Sequence, residues 1–217
     1  MSDDLVGQTL GKYRIVARLG AGGMAEVYKA YQPGLDRHVA IKIMQKHVAA
    51  QKGSASRFER EAVAVARLRH PNIVQVHDFD AYGDLRYMVM EFIDGPTLRT
   101  EFEERRHKNS PFTLAEIARI FAALTNAVDY AHAQDIIHHD LKPDNVMITP
   151  TGQVVLTDFG IARLLDSQQT ATEMVSGTAA YMAPEQAQGE LNDKRSDIYA
   201  LGVILYELIA GEVPFKG

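Results

Sequence analysis

The stretch "IIHHDLKPDNV", Ile136 to Val146, sets two histidines, two aspartates, a lysine and an asparagine between apolar residues. It poses two questions. One is what chemistry needs two carboxylates, a cation and an amide within a few residues. The other is why a second histidine, His139, stands directly before Asp140. Neither is settled by the segment alone, so the surrounding chain is read first.

Composition narrows the classes. With 217 residues and 46% hydrophobic content, the chain can bury its core as one large domain or two small lobes. A net charge of −5 gives no electrostatic case for nucleic acid as a partner. The absence of cysteine excludes disulfides, thiolate zinc sites and cysteine nucleophiles, and fits a reducing compartment. The N-terminal "MSDDLVGQTLG" is acidic and lacks an apolar core, so it does not read as a signal peptide. The most apolar run, "IYALGVILYELIAG", is short and interrupted by Glu207, which predicts a buried helix rather than a membrane span.

Ahead of the opening stretch the texture is that of strands. Tyr13 to Leu19 leads into "GAGGMAEVYKAY", and "RHVAIKIM" alternates across a strand. "SASRFEREAVAVARL" then carries Phe58, Ala62, Val65 and Leu68 at helical spacing and stops at "RHPN". Two strand-like runs follow, "IVQVHDF" and "LRYMVMEFI", before "DGPTL" breaks the pattern and marks a boundary near Asp94. Beyond it, Thr113 and Glu116 form a capping box that opens a helix with Leu114, Ile117, Phe121, Leu124 and Val128 as its apolar stripe. After the opening stretch come two short strands about a Thr-Gly turn, a polar loop from Ser167 to Ser176, and an apolar helix from Arg195 to Ala210.

Several groups in this order carry chemistry. Glycines 20, 22 and 23 lie between two strands, where a backbone free of side chains approaches phosphate oxygens closely; an ordinary glycine-rich hairpin would look the same. No Gly-Lys-Ser/Thr follows, so this is not a Walker loop. Lys42 shares a strand face with Ala40 and Met44, and Glu61 shares the apolar helix face of Phe58 and Val65. Two buried opposite charges need partners, and these two suit each other, unless Lys42 merely snorkels to water. Asp158, in "TDFG", could belong to a plain turn; beside Asn145 it supplies hard oxygen ligands of the kind Mg²⁺ takes together with phosphates and waters.

Taken in sequence, Gly20-x-Gly22, Lys42, Glu61, "HHDLKPDN", Asp158-Phe-Gly160 and "APE" at Ala183 to Glu185 resemble the protein-kinase signature. "DLKPDN" with "GTAAYMAPEQ" is similar to the bacterial eukaryotic-like serine/threonine kinases, and the likeness runs from about Gly11 to the last residue. It implies an α+β, two-lobed protein-kinase-like fold. Residues 1–93 would form a small antiparallel β-sheet lobe with one helix that binds nucleotide, and residues 94–217 a mainly helical catalytic lobe. It further implies an ATP-dependent serine/threonine protein kinase, working in bacterial signalling with activation-loop autophosphorylation. The cofactors would be ATP and Mg²⁺, with Mn²⁺ as a substitute. The partners would be protein substrates with serine or threonine acceptors and a transient dimer during autophosphorylation, without nucleic acid, and the location cytoplasmic.

The resemblance also assigns roles. Leu19, Gly20, Ala21, Gly22, Gly23, Met24, Ala25, Glu26 and Val27 would cover the ATP phosphates, and Lys42, positioned by Glu61, would hold the α- and β-phosphates. Asp140 would accept the acceptor hydroxyl's proton, Lys142 would steady the γ-phosphate, and Asn145 and Asp158 would hold the metal. Met90 would back the adenine pocket, Glu91 and Ile93 would bond the adenine edge through their backbones, and Val27, Ala40 and Met147 would sandwich the ring. Val65, Val76, His138 and Phe159 would stack above Asp197, making His138 a packing residue rather than a base. Thr170 and Thr172 would be loop phosphorylation sites. Three departures stand out. Ala25 replaces the usual third glycine, and His139 replaces the arginine that normally precedes the catalytic aspartate. The chain also stops at "GEVPFKG", where the family continues with further helices, one of which carries the usual arginine partner of Glu185. On this reading the second lobe is incomplete and the chain a fragment, which would leave part of the apolar surface of the helix Arg195 to Ala210 uncovered. The rival class is a pseudokinase or nucleotide-binding scaffold without transfer activity, against which Lys42, Asp140, Asn145 and Asp158 all speak.

Overall fold

Strand alternation organises the first half of the chain. In β4 (Arg37–Met44), Val39, Ile41 and Ile43 alternate with Ala40, Lys42 and Met44, so the strand has two distinct faces. The structure, a computed structural model, describes residues 5–22, 25–44, 59, 62–159, 179–189 and 193–215. Gly23, Met24, Phe58, Glu61, Gly160 and the loop bearing Thr170 and Thr172 lie outside the described residues, and with them the expected Lys42–Glu61 pair.

Contacts divide the chain into two units, Met1–Arg69 with Gln75–Ile93 and His70–Val74 with Asp94–Gly217. The first contains an antiparallel sheet of β1 (Thr9–Leu10), β2 (Tyr13–Ala21), β3 (Ala25–Gln32), β4, β5 (Val76–Tyr82) and β6 (Leu85–Glu91), ordered β1-β2-β3-β4-β6-β5. One face carries a core of Leu10, Tyr13, Ile15, Tyr28, Ala30, Val39, Ile41, Ile43, Tyr87 and Val89. Within "SASRFEREAVAVARL", residues 62–66 are helical.

His70–Val74, which sequence texture assigned to the β-rich half, packs on the second unit instead. Val74 N–H donates to the Leu156 carbonyl at 2.9 Å, Leu156 N–H donates to the Asn72 carbonyl at 2.8 Å, and Asn72 Nδ2 donates to the Val154 carbonyl at 2.7 Å. These bonds lay the segment beside the two-stranded sheet of β7 (Val146–Ile148) and β8 (Val154–Leu156).

The second unit is otherwise helical: α1 (Leu98–Lys108), α2 (Leu114–Ala133), a single turn α3 (Pro184–Ala187) and α4 (Lys194–Ala210). The α2 capping box forms as expected, with Thr113 N–H donating to Glu116 Oε2 at 2.8 Å and Glu116 N–H donating to Thr113 Oγ1 at 3.3 Å. Its buried stripe is Ile117, Ile120, Leu124, Ala127, Val128 and Ala131; Leu114, at the first helical residue, is 80% exposed rather than part of it. The apolar pattern misses α1 because only Leu98 and Phe102 are buried there. What defines α1 is capping: Thr97 Oγ1 accepts from Thr100 N–H at 3.1 Å, and basic residues fill its last turn. Part of the apolar surface of α4 is uncovered, as expected. Ile198, Tyr206 and Ile209 are exposed, while the polar Ser196, Asp197 and Glu207 are buried on its other face.

Candidate active site

In the first unit, β2 and β3 form a hairpin with Gly20 opposite Val27 and Ala21 opposite Glu26, and Gly22 N–H donates to the Ala25 carbonyl at 2.9 Å. A Cβ placed on Gly20 would meet nothing within 4 Å, so this backbone is open to a ligand. Glu26 is tied sideways, accepting from Arg18 at 2.8 Å and from the Tyr28 hydroxyl at 2.6 Å. Leu19 is half exposed. Cross-strand partners share a face. Lys42 pairs with Val27 on β3 and Met88 on β6, and Ala40 pairs with Met90. Val27, Ala40, Lys42 and Met90 therefore lie on one face of the sheet, opposite the core cluster. Glu91 N–H is committed to the Gln75 carbonyl at 2.9 Å, and Ile93 is buried.

In the second unit, the opening stretch becomes a loop held from several sides. Pro143–Asn145 forms a 3₁₀ turn, closed by Asn145 N–H to the Lys142 carbonyl at 3.0 Å. Lys142 Nζ lies 3.0 Å from Asp140 Oδ2. Asn145 Nδ2 donates to the Asp140 carbonyl at 2.7 Å and to Asp140 Oδ2 at 3.1 Å. That fixes the amide's orientation and leaves its oxygen as the acceptor available to a cation. Thr157 N–H donates to the Asn145 carbonyl at 2.8 Å, which binds the residue before Asp158 to Asn145. Asp158 has φ of 54°, a left-handed conformation that costs energy for a non-glycine residue and is typically retained at functional sites.

His138 is a packing residue with a defined tautomer. Its Nδ1 accepts from Asp140 N–H at 3.3 Å, so Nε2 carries the proton and donates to the Thr157 carbonyl at 2.9 Å. Burial holds its pKa below the ordinary imidazole value, against the raising influence of Asp197. Phe159 packs on the ring with centroids 4.6 Å apart. Asp197, only 1% exposed, accepts His138 N–H on Oδ2 at 2.8 Å and His139 N–H on Oδ1 at 2.9 Å, and its Oδ2 lies 2.7 Å from His132 Nε2. In this way α4 fixes the backbone immediately before Asp140. Val65 and Val76 are buried in the first unit, and Met147 sits on β7, bridged to Thr97.

Sequence reasoning passed over some residues here. His132 continues the stripe of Leu124 and Val128 by one further helical step, which was its signal. Arg99 had none. Its guanidinium bonds Glu207 Oε1 at 2.9 Å and the Tyr181 hydroxyl, and it lies 3.7 Å from Asp144. The Tyr181 hydroxyl also donates to Glu207 Oε2. Burial and the Glu207 carboxylate push the Tyr181 phenol well above its usual range. Among the described residues no cluster of three or more His, Cys, Asp or Glu side chains could hold a metal. A carboxylate with one amide oxygen fits instead a cation that keeps phosphate and water ligands.

The first unit thus carries a lysine on a sheet with an open glycine hairpin, and the second an Asp-Lys-Asn loop. Residues 13–217 match the family model described as the protein kinase domain, and the chain belongs to that family. It is 43% identical over 98% of its length to the Bacillus subtilis serine/threonine-protein kinase PrkC, covering 33% of that protein. It is also 43% identical over 95% of its length to the probable serine/threonine-protein kinase PknB of Lactococcus lactis, covering 32% of it. The chain thus spans about a third of the length of these curated relatives. The crystal structure of the Mycobacterium tuberculosis PknI kinase domain aligns with a TM-score of 0.78 at 33% identity, over 97% of this chain and 79% of that one. The α+β kinase fold expected from the motifs is the fold of these neighbours. No helix among the described residues is long and apolar enough to cross a membrane.

Proposed function

We propose that the chain is the catalytic part of a serine/threonine protein kinase that transfers the γ-phosphoryl group of ATP to serine or threonine hydroxyls of proteins. The observation that carries this is the Asp140–Lys142–Asn145 arrangement, three groups within hydrogen-bonding distance on a loop fixed by Asp197. Asp140 orients the acceptor hydroxyl and takes its proton as the hydroxyl oxygen bonds the γ-phosphorus and the bond to the departing ADP breaks. Lys142 offsets charge on the transferring group. Leu19 to Val27 cover the phosphates, Lys42 binds the α- and β-phosphates, and Val27, Ala40, Met90, Glu91, Ile93 and Met147 receive the adenine. Asn145 and Asp158 would hold Mg²⁺, or Mn²⁺, which when bound neutralises phosphate charge. Autophosphorylation falls on Thr170 and Thr172, during a transient dimer. Labelled ATP incubated with a basic acceptor protein tests the reading. Lys42→Met and Asp158→Asn should abolish transfer while the far-ultraviolet spectrum is kept. Undiminished transfer by either variant overturns the site assignment.

A further inference from the structure

The residue before Asp140 is held in an unfavourable conformation. His139 has φ of 63°, in the left-handed region that side chains with a Cβ avoid unless neighbouring bonds impose it. Its N–H is fixed by Asp197 Oδ1 at 2.9 Å. Its carbonyl, which belongs to the next peptide, the one that leads into Asp140, accepts from Gln186 Nε2 at 3.1 Å. Gln186 is itself oriented, because its Oε1 accepts Ala183 N–H at 3.0 Å. The Gln186 amide therefore cannot flip without losing both bonds and setting like groups against each other at each end. His139, Asp140, Tyr181, Met182 and Gln186 also line one small void, so the Ala179–Gln186 segment and the catalytic loop are neighbours within the second unit.

We infer that Gln186 is a positioning residue for the transfer reaction. It clamps the His139–Asp140 peptide from the segment that follows Thr170 and Thr172 in sequence, while Asp197 clamps the preceding His138–His139 peptide from α4. This rests on the kinase reading given above. Gln186 touches neither phosphate nor acceptor; it acts through the orientation of Asp140. A displacement of the Ala183–Gln186 turn would be passed through this side chain to the peptide that leads into Asp140.

The isosteric Gln186→Glu separates this role from packing. The carboxylate still accepts Ala183 N–H, but it has no hydrogen for the His139 carbonyl and sets two oxygens against each other. Expected is a fall in kcat of about fivefold to twentyfold, the scale of one hydrogen bond lost with added repulsion. KM for ATP should stay within about twofold. Faster amide exchange is expected in the peptide containing His139–Leu141. Gln186→Leu, which removes both bonds, should lose at least as much kcat. Unchanged kcat and unchanged exchange in Gln186→Glu overturn the inference. So does a kcat loss matched by a rise in KM for ATP and a general loss of thermal stability, which marks a merely structural residue. A wild-type protein that transfers no phosphate would instead overturn the kinase reading itself, whatever the exchange data show.

Discussion

Asp197→Asn should disturb the catalytic loop more than any other conservative change on α4. The carboxylate is 1% exposed and meets His138 N–H, His139 N–H and His132 Nε2 at 2.7–2.9 Å. Asparagine keeps one acceptor oxygen. Its NH₂ must then face either the His139 N–H or the pair formed by His138 N–H and His132, donor against donor. A hydrogen bond to a charged group is worth about 1.5–3 kcal/mol, and a buried donor left unpaired costs about 1–3 kcal/mol. Neutralising the acceptor and orphaning one donor should cost about 3 kcal/mol of stability. For a protein of this size that lowers the melting temperature by about 6–12 °C. Since the lost bonds hold the backbone before Asp140, kcat should fall about a hundredfold, the effect of misplacing a catalytic group by roughly 1 Å. Thermal melts and initial rates with labelled ATP at saturating acceptor read both numbers. A variant that melts within about 1 °C of wild type and keeps its kcat would refute the reasoning.

Arg99→Met removes the cation from the buried Glu207 and leaves the carboxylate to the Tyr181 hydroxyl alone; a cost of about 3–5 kcal/mol in urea unfolding is expected, and Arg99→Met with Glu207→Gln should recover part of it. Thr113 N–H and Oγ1, together with Arg105, hold the Glu116 carboxyl down to about 2 from an ordinary 4.5. Because its folded value is depressed, this stabilisation is complete above about pH 4.5 and is lost as pH falls toward 2. Solvent screening limits it to about 1 kcal/mol, so the gap in unfolding free energy between wild type and Glu116→Gln should be largest near pH 7 and shrink by pH 3, whereas a gap independent of pH would contradict the capping role. If the loop is read as proposed, phosphopeptide mapping after incubation with Mg-ATP should find Thr170 or Thr172 modified, and finding neither would count against it.

The strands and the capped helix α2 were legible because their signals are local: period-two alternation in "RHVAIKIM" and a Thr-x-x-Glu box before an apolar stripe. The family was legible for another reason: Asp140, Lys142, Asn145 and Asp158 stand in the order of the protein-kinase signature, and the chain belongs to that family. Helix α1 was not, since its stability rests on caps and ion pairs such as Arg105 to Glu116 at 2.7 Å rather than on an apolar face. Nor were the placement of His70–Val74, decided by bonds to a strand some eighty residues later, or the Arg99–Tyr181–Glu207 cluster, assembled from three distant segments. Gln186 beside His139 belongs to the same kind. Charges that find their partners only through tertiary packing leave no periodic trace. On the buried polar face of α4, Asp197 was legible through the kinase resemblance, whereas the burial of Glu207 inside an apolar run was not.

In the proposed reaction Asp140 handles the acceptor hydroxyl while other groups hold the nucleotide. The most direct measurement is single-turnover transfer of labelled γ-phosphate from ATP to a serine-containing acceptor by Asp140→Asn, alongside its ATP affinity. Expected are ATP binding within about threefold of wild type and a transfer rate lowered by about a thousandfold, the scale of losing both general-base and orienting contributions. Transfer at the wild-type rate by a folded Asp140→Asn protein would contradict that role of Asp140.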